Sequence, residues 1–325
     1  METYATKTNR PGGVLFTAGP INTSEGVRQA QTTDYGSRST AFVGAISRIR
    51  SKLLEVASVD ATKWSAVPMQ GSGTMGIEAV IATFTPREEG KVSLVICNGA
   101  YSYRMADVIK KLGLGLITFT VEEGKEVDLD ALEGIMTMHK ANITNVGIVH
   151  CETSTGMFNP VAEVGKLARR VVPNATVFID AMSSFGAVPL DVDACCDVVV
   201  TSANKCFQSV PGFSIVLARK DLITASKGRS PSFTLDVAKQ AEGLDKSGQF
   251  NNTPPVHSLM AFNTAMIEHE QEGGTIQRGN RYKSIAHYIA DQMEALGFKL
   301  FLDRSLPSFG PITTVAEQLT VNPFF

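Results

Sequence analysis

Short apolar runs alternate along this chain with segments of helical periodicity, and that alternation limits the possible folds more than any other feature. Each run is short and ends at polar or turn-forming residues, as buried strands do. Strands that alternate with helices form mostly parallel sheets with helices on their faces. The pattern predicts an α/β fold whose strands are Val92–Ile96, Leu116–Val121, Val146–Val149, Val177–Ile179, Val198–Thr201 and Phe213–Ala218.

Helical periodicity appears between and after these runs. Pro160 is well placed to open a helix, and Gly113 to end one. Apolar residues at helical spacing predict packing faces of Met105, Val108, Ile109 and Leu112 in one helix, and of Val161, Val164, Leu167, Ala168 and Val171 in another. Further helices are predicted at Met75–Phe84, Val256–Glu272 and Ile276–Leu296, the last with an apolar stripe of Ile285, Ile289, Met293 and Leu296.

The connection between the last two predicted strands is short. Only the residues from Ser202 to Gly212 separate them. A parallel pair needs a crossover of a dozen or more residues, usually with a helix. We therefore expect the strand Phe213–Ala218 to run antiparallel to its neighbour.

Two charged residues stand at the ends of predicted strands. Asp180 ends the run that begins at Val177, and Lys205 follows the run that begins at Val198. A coenzyme that acts as an electron sink needs a lysine amine to hold it as a Schiff base and a carboxylate to keep its pyridine nitrogen protonated. Both groups belong at strand ends that face one crevice. Taken alone, the pair has an ordinary alternative, because Asp after a strand is often a helix cap and Lys is usually solvated.

A third segment strengthens the coenzyme interpretation. Gln70-Gly-Ser-Gly-Thr74 leads from a short extended stretch into the predicted helix Met75–Phe84. Glycines let the backbone approach a ligand closely, and free N–H groups at a helix start attract an anion. The hydroxyls of Ser72 and Thr74 could donate to the same anion. The segment is therefore a candidate phosphate site, although an ordinary helix cap would look similar.

Together these segments resemble the class V aminotransferases among the fold-type I pyridoxal phosphate enzymes, and in particular the 2-aminoethylphosphonate:pyruvate group. The resemblance runs from about Thr17 to about Thr314. It rests on eight segments in the same order and spacing: Gly19-Pro-Ile-Asn-Thr23, Gln70-Gly-Ser-Gly-Thr74, Asn98-Gly-Ala-Tyr101, His150-Cys-Glu-Thr-Ser-Thr-Gly156, Asp180-Ala-Met-Ser-Ser-Phe-Gly186, Ser202-Ala-Asn-Lys-Cys206, Val210-Pro-Gly-Phe213 and Thr253-Pro-Pro255.

The resemblance implies a role for each matching residue. Lys205 would hold pyridoxal 5'-phosphate as a Schiff base, and Asp180 would bind its pyridine nitrogen. Tyr101 would stack on the ring, and Thr153 would hydrogen-bond near the phenolic oxygen. Gly19 would contact the substrate. The phosphate would be held by Ser72, Gly73, Thr74, Ser202 and Asn204, and by Thr253 from the other subunit of a homodimer.

The same resemblance implies a reaction. We expect transfer of the amino group of 2-aminoethylphosphonate to pyruvate, with phosphonoacetaldehyde and L-alanine as products of phosphonate degradation. Two alternatives remain open at this stage. Alanine–glyoxylate or serine–glyoxylate transamination would use the same coenzyme residues, and a truncated chain could serve as a dimer partner without turnover.

The C-terminal part departs from the family pattern. We expect an N-terminal arm over 1–25, a large coenzyme-binding domain over 26–272 and the start of a smaller domain over 273–325, which is incomplete. The family carries an arginine there that binds the substrate carboxylate. Neither Arg281 nor Arg304 matches its position, so its location is left open and weak use of pyruvate is expected.

The amino-acid composition gives no indication of a macromolecular partner or a bound metal. The chain has 30 basic and 32 acidic residues, so no basic surface argues for nucleic acid or an anionic membrane. The five cysteines form no Cys-x-x-Cys pair, and no histidine has metal-ligand spacing. Residues 1–10 lack the apolar segment of a secretory signal. These observations favour a cytoplasmic enzyme with small-molecule substrates and no metal.

Overall fold

A computed structural model describes residues 13–15, 17–306 and 308–309. Its central element is a mixed sheet, which in the described part of the chain has seven strands in the order β1-β9-β8-β7-β4-β2-β3. The sheet strands are β1 (Trp64–Gln70), β2 (Val92–Cys97), β3 (Gly115–Thr120), β4 (Ile143–Val149), β7 (Thr176–Asp180), β8 (Val198–Ser202) and β9 (Phe213–Arg219). The two-residue strands β5 (Cys151–Glu152) and β6 (Met157–Phe158) pair separately.

Helices cover both faces of this sheet. They are α1 (Glu25–Gln29), α2 (Thr40–Val56), α3 (Gly73–Phe84), α4 (Ala100–Lys111), α5 (Leu129–Met138), α6 (Val161–Val171), α7 (Val192–Cys195), α8 (Lys220–Ala225), α9 (Val237–Ser247), α10 (Val256–Gln271) and α11 (Gly274–Ala295). Within the described part, none of these helices is long and apolar enough to cross a lipid bilayer.

The strand directions match the pattern predicted from the sequence. The strands β2, β3, β4, β7 and β8 run parallel to one another. The strand β9 is antiparallel to both of its neighbours, β8 and β1, as its short connection predicts. The strand β1 therefore points the same way as β8. As a result, β1, β2, β4, β7 and β8 all end at one edge of the sheet, where β9 begins.

The core lies on both sides of this sheet. Residues of β8 are buried throughout, as expected for a strand with packed helices on both faces. Trp64 is fully buried at the start of β1, and its indole N–H donates to Asp193 Oδ1 at 2.9 Å. The polar end of this large ring is thus satisfied while its apolar body fills the core.

The long helix α11 packs differently from the prediction. Its buried residues are Arg278, Gly279, Ala286 and Ala290. Of the predicted apolar stripe, Ile285 is 47% exposed and Leu296 is 72% exposed. Ile289 and Met293 are half-buried, so the stripe packs only in part, and the closest contacts of α11 are made by small residues. A Cβ atom at Gly279 would lie 2.2 Å from the carbonyl oxygen of Ala187.

A similar close contact fixes α6 against α7, and it leads to a first prediction. A Cβ atom at Gly165 would lie 2.1 Å from the carbonyl oxygen of Cys195, so backbone would have to move. We expect Gly165→Ala to lower the free energy of unfolding by about 1–3 kcal/mol through overpacking. Urea denaturation of the purified protein measures this change.

Gly134 provides the matched control. It lies in α5, and a Cβ atom there would meet no neighbouring heavy atom within 4 Å. Because Ala favours a helix over Gly, Gly134→Ala should raise the free energy of unfolding by roughly 0.5–1 kcal/mol. Equal effects of the two substitutions would show that the contact between α6 and α7 is not tight.

Candidate active site

Most of the predicted site residues meet at the sheet edge where the parallel strands end. They surround a cavity of about 220 Å³. Ligands of open α/β sheets bind outside the carboxyl ends of the strands, and this cavity lies in that position. The predicted residues that line it are Ser72, Gly73, Thr74, Tyr101, Thr153, Asp180, Ser202, Asn204 and Lys205.

Two predicted residues do not line the cavity. Gly19 lies beside it, and its carbonyl oxygen accepts a hydrogen bond from Lys205 Nζ at 3.3 Å. A Cβ atom at Gly19 would lie 2.3 Å from Lys205 Cδ, so a larger residue would displace the lysine. Thr253 is exposed in the segment before α10 and does not line this cavity.

The helix α3 presents its N-terminus to the cavity. Ser72 caps the helix, and its hydroxyl accepts the N–H of Met75 at 3.4 Å. The first N–H groups of a helix have no partner within it, and the helix dipole favours an anion there. Gly71 has φ +122°, which lets the chain turn sharply from β1 into this loop. The loop therefore suits a phosphate group.

Space at this loop is restricted. A Cβ atom at Gly73 would lie 2.7 Å from Met182 Sδ, on the loop that follows Asp180. Glycine at this position keeps the backbone open on the side of the cavity. The hydroxyl of Thr74 and the neighbouring Ser202 and Asn204 line the same cavity. A small group of potential anion-binding donors thus lines the site.

Lys205 lies in the turn between β8 and β9. The residue is half-buried, and its amine donates to the carbonyl oxygen of Gly19. The turn is also held from α11, because the buried guanidinium of Arg278 donates to the carbonyl oxygen of Cys206 at 2.7 Å. Arg278 in turn is paired with Glu272. These contacts fix the backbone on which the lysine stands.

The neighbouring thiol has a different chemistry from the lysine. Cys206 is buried, and burial raises the pKa of its thiol to about 12. Its Sγ donates to the carbonyl oxygen of Ser183 at 3.1 Å. A thiol that stays protonated near neutral pH is a poor nucleophile. Cys206 therefore acts as a small packed residue, as most buried cysteines do.

Asp180 is the last residue of β7 and is only 5% exposed. Burial raises the pKa of its carboxyl to about 7, opposed by the N–H of Met182, which donates to Oδ1 at 2.9 Å. A buried carboxyl group disfavours its charged form unless a cation lies beside it. Asp180 is therefore poised to pair with a positively charged ligand atom in the cavity.

This raised pKa predicts a pH effect on stability without bound ligand. Between about pH 4 and pH 7, the folded protein keeps a proton on Asp180 that the unfolded chain releases. The free energy of unfolding therefore falls as pH rises through this range. The variant Asp180→Asn cannot ionise at this position and keeps an acceptor for the N–H of Met182. Its free energy of unfolding, relative to that of the unsubstituted protein, should therefore increase by roughly 2–4 kcal/mol from pH 4 to pH 8.

The difference between the two proteins is the quantity to measure, by thermal or urea unfolding across that range. His150 would obscure either curve alone, because burial lowers its pKa to about 4 and its stability contribution rises with pH. That contribution cancels in the comparison. A difference that stays constant from pH 4 to pH 8 would contradict the raised pKa of Asp180.

Tyr101 and Thr153 also line the cavity. Tyr101 is the second residue of α4, and the guanidinium Cζ of Arg104 lies 4.8 Å from the centroid of its ring. Thr153 follows β5, and its hydroxyl donates to Ser183 Oγ at 3.1 Å. An aromatic face and a hydroxyl are thus available beside the buried Asp180.

Several residues of the site were not assigned roles from the sequence. Arg104 and Met182 line the cavity, and Glu152 binds the start of α4 from β5. Arg278 supports the Lys205 turn from α11. Glu152 stands inside the motif that includes Thr153, but its partners are about fifty residues away in the chain. The other contacts join residues far apart in the chain.

Comparison with known proteins defines the class. The family model described as aminotransferase class-V matches residues 29–316. This chain therefore belongs to the class V aminotransferases. It is 40% identical over 304 residues to the 2-aminoethylphosphonate--pyruvate transaminase of Klebsiella pneumoniae, covering 93% of this chain and 81% of that protein.

Two further comparisons extend this result. The chain is 38% identical over 303 residues to a bifunctional phosphonoacetaldehyde hydrolase/aminoethylphosphonate transaminase of Clostridioides difficile, covering 93% of this chain but only 46% of that protein. The crystal structure of alanine--glyoxylate aminotransferase from Nostoc sp. superposes with a TM-score of 0.82 at 25% identity, covering 91% of this chain and 77% of that chain. The predicted fold is thereby confirmed.

Proposed function

We propose that this protein uses pyridoxal 5'-phosphate to transfer the amino group of 2-aminoethylphosphonate to pyruvate, giving phosphonoacetaldehyde and L-alanine. The observation that carries the proposal is the meeting of Lys205 and Asp180, from adjacent strands, in one cavity at the N-terminus of α3. The identity to relatives that bear this activity in their names supports the choice of substrates.

The side chains of the cavity fit the chemical groups of this coenzyme. Its phosphate would be held by Ser72, Gly73, Thr74, Ser202 and Asn204, where helix N–H groups and hydroxyls gather. The ring would lie against Tyr101, since a flat aromatic face binds and orients a flat ligand. The hydroxyl of Thr153 would bind near the phenolic oxygen of the coenzyme.

Asp180 and Lys205 would carry the chemistry. When bound, the coenzyme supplies a carbonyl carbon that accepts the amino group and a ring that accepts the electron pair left by proton removal. Asp180 would share a proton with the pyridine nitrogen, and its burial would strengthen that charged contact. The Lys205 amine would take a proton from the substrate carbon that bears the amino group and deliver it to the coenzyme carbon that receives that group.

The overall exchange is balanced. The amino group leaves 2-aminoethylphosphonate, whose carbon becomes the aldehyde of phosphonoacetaldehyde. The keto carbon of pyruvate receives the amino group and becomes the α-carbon of alanine. Lys205 would alternate between holding a proton and releasing it, and the carbonyl oxygen of Gly19, which accepts a hydrogen bond from its Nζ at 3.3 Å, would help to orient the amine.

A second copy of the chain belongs to the proposal. Thr253 is exposed and is not among the residues that line the cavity of its own chain. We propose that it reaches the phosphate site of a partner in a homodimer, and that Gly19 contacts the substrate. Thr253→Ala would then weaken coenzyme binding without changing the unfolding free energy of the monomeric fold. The buried thiols Cys97, Cys195, Cys196 and Cys206 suit a reducing compartment such as the cytoplasm.

An assay of the purified protein tests the function. Protein loaded with pyridoxal 5'-phosphate is incubated with 2-aminoethylphosphonate and pyruvate, and proton NMR follows alanine and phosphonoacetaldehyde. Equal amounts of both products are expected. Parallel reactions with alanine or serine as donor and glyoxylate as acceptor should be slower. Faster turnover of either glyoxylate pair, or none with any pair, would overturn the assignment.

A further inference from the structure

The carboxylate of Glu152 is fully buried, and each of its oxygens accepts hydrogen bonds. Its Oε1 accepts the N–H of Tyr101 at 3.0 Å and the hydroxyl of Ser154 at 3.2 Å. Its Oε2 accepts both the N–H and the hydroxyl of Ser102, each at 3.0 Å. A charged carboxylate can be buried only when hydrogen bonds offset its loss of hydration. The buried position of Glu152 therefore depends on Tyr101, Ser102 and Ser154.

These partners form the first turn of α4. The first N–H groups of a helix have no acceptor within the helix, and the helix dipole favours a negative charge beside them. Glu152 satisfies two of these groups, and the hydroxyl of Ser154 accepts a third, the N–H of Ala100, at 3.0 Å. The start of α4 is therefore tied to β5, which is about fifty residues further along the chain.

The contact is also sterically tight. A Cβ atom at Gly99 would lie 2.1 Å from Glu152 Cγ, so the carboxylate fills the space beneath the first turn. Tyr101 is the second residue of α4, and its own N–H is one of the bonded groups. The backbone that carries its ring is thereby held by a residue that does not line the cavity.

We propose that Glu152 is a positioning residue for the coenzyme site: its buried carboxylate sets the first turn of α4 and thereby holds the Tyr101 ring against the coenzyme. The inference rests on the proposed function, since it assumes that the ring stacked on Tyr101 belongs to pyridoxal 5'-phosphate. It predicts that Glu152 affects coenzyme binding through Tyr101 and not through general stability.

Glu152→Gln provides the direct test. Glutamine keeps the volume but has only one oxygen, so one N–H of the first turn must face an NH₂ group. Unsatisfied buried donors are costly, and we expect the dissociation constant for pyridoxal 5'-phosphate to rise roughly tenfold or more. Equilibrium titration of coenzyme-free protein, followed by coenzyme absorbance and circular dichroism, measures affinity and ring orientation without any assay of activity.

Asp128→Asn is the matched control. Asp128 caps α5, and its Oδ1 accepts the N–H groups of Asp130 and Ala131, each at 3.0 Å. The change removes a helix-capping charge outside the cavity lining. It should leave the coenzyme dissociation constant within about twofold of the unsubstituted value, because distant sites act independently. If Asp128→Asn weakens binding as much as Glu152→Gln, the effect is general and the proposal is wrong.

A double-mutant cycle tests whether the effect of Glu152→Gln on coenzyme binding depends on Tyr101. In a Tyr101→Ala background, Glu152→Gln should change the dissociation constant by about twofold or less, since the ring that it positions is absent. An undiminished tenfold effect in that background would overturn the proposal. The cycle uses binding alone, so failure of the unsubstituted protein to bind coenzyme would instead refute the proposed function.

Ser154→Ala covers the case in which Glu152→Gln does not fold. Ser154 is half-buried and bonds both Ala100 and Glu152, so its loss loosens the same turn with less risk. Coenzyme affinity should fall roughly threefold to tenfold, and the effect should again vanish beside Tyr101→Ala. Unchanged affinity and circular dichroism in Ser154→Ala would count against a role for this turn.

Discussion

Lys205→Ala should carry no coenzyme that borohydride can fix to the protein. Lys205 is the one lysine among the described residues that line the cavity, so no other amine can replace it there. Reduction with borohydride, digestion and mass spectrometry would locate any modified lysine. The variant should still bind some pyridoxal 5'-phosphate without a covalent bond, because the anion-binding loop and Asp180 remain.

Lys220→Ala is the control for this result. Lys220 opens α8 directly after β9, at the end of the sheet opposite the cavity. Its amine donates to the carbonyl oxygen of Ala61. Covalent attachment should be unchanged in this variant. A stable reduced adduct on a different lysine in Lys205→Ala would show that the attachment site is assigned to the wrong residue.

The second large effect is a loss of turnover, which we expect for Asp180→Asn in protein that has pyridoxal 5'-phosphate bound. Asparagine keeps the hydrogen bond from Met182 but carries no charge to pair with a protonated ring. Turnover should fall roughly a thousandfold or more, because buried electrostatic contacts of this kind dominate such reactions. Single-turnover absorbance changes with 2-aminoethylphosphonate would measure the loss directly.

Stability distinguishes this outcome from simple misfolding. The same substitution is expected to stabilise the coenzyme-free protein near neutral pH, since it removes a buried ionisable carboxyl. A protein that is more stable and far less active would show that Asp180 is kept for its chemistry. Near-normal turnover at full coenzyme occupancy would rule out its proposed role.

The sheet could be predicted from the sequence because most of its strands are almost wholly buried. Continuous apolar runs placed β2, β4, β7, β8 and β9 within a few residues of their observed bounds. The antiparallel direction of β9 followed from the length of one loop. The strands β5 and β6 have two residues each, too few for any periodicity to be seen.

Strand order was beyond the reach of such patterns. The position of β9 between β1 and β8 depends on pairing between residues about 150 positions apart, such as Trp64 with Arg219. Periodicity reports which face of an element is buried and does not name its neighbour. The apolar stripe of α11 is only partly buried for a related reason, because the small residues Gly279 and Ala290 make its fully buried face.

The site could be predicted from the sequence where its reactive side chains lie at or just after the ends of strands. Asp180 and Lys205 follow buried runs, and Gly71–Thr74 joins a strand to a helix, so each has a local signal. Glu152 and Arg278 act by hydrogen bonds to residues about fifty or seventy positions away. A single sequence contains no local mark of such a partner.

The central place of β9 also constrains how the protein matures. The strand β1 pairs only with β9 within the described sheet, and Gly71 donates to the carbonyl oxygen of Gly212 at 3.0 Å. We therefore expect the anion-binding loop to be held firmly beside Lys205 only after β9 has been synthesised and inserted between β1 and β8. Closing so long a segment is slow. During synthesis and refolding, capture of the coenzyme should report completion of the whole sheet, and an unfinished chain would have no partial site with which to sequester it.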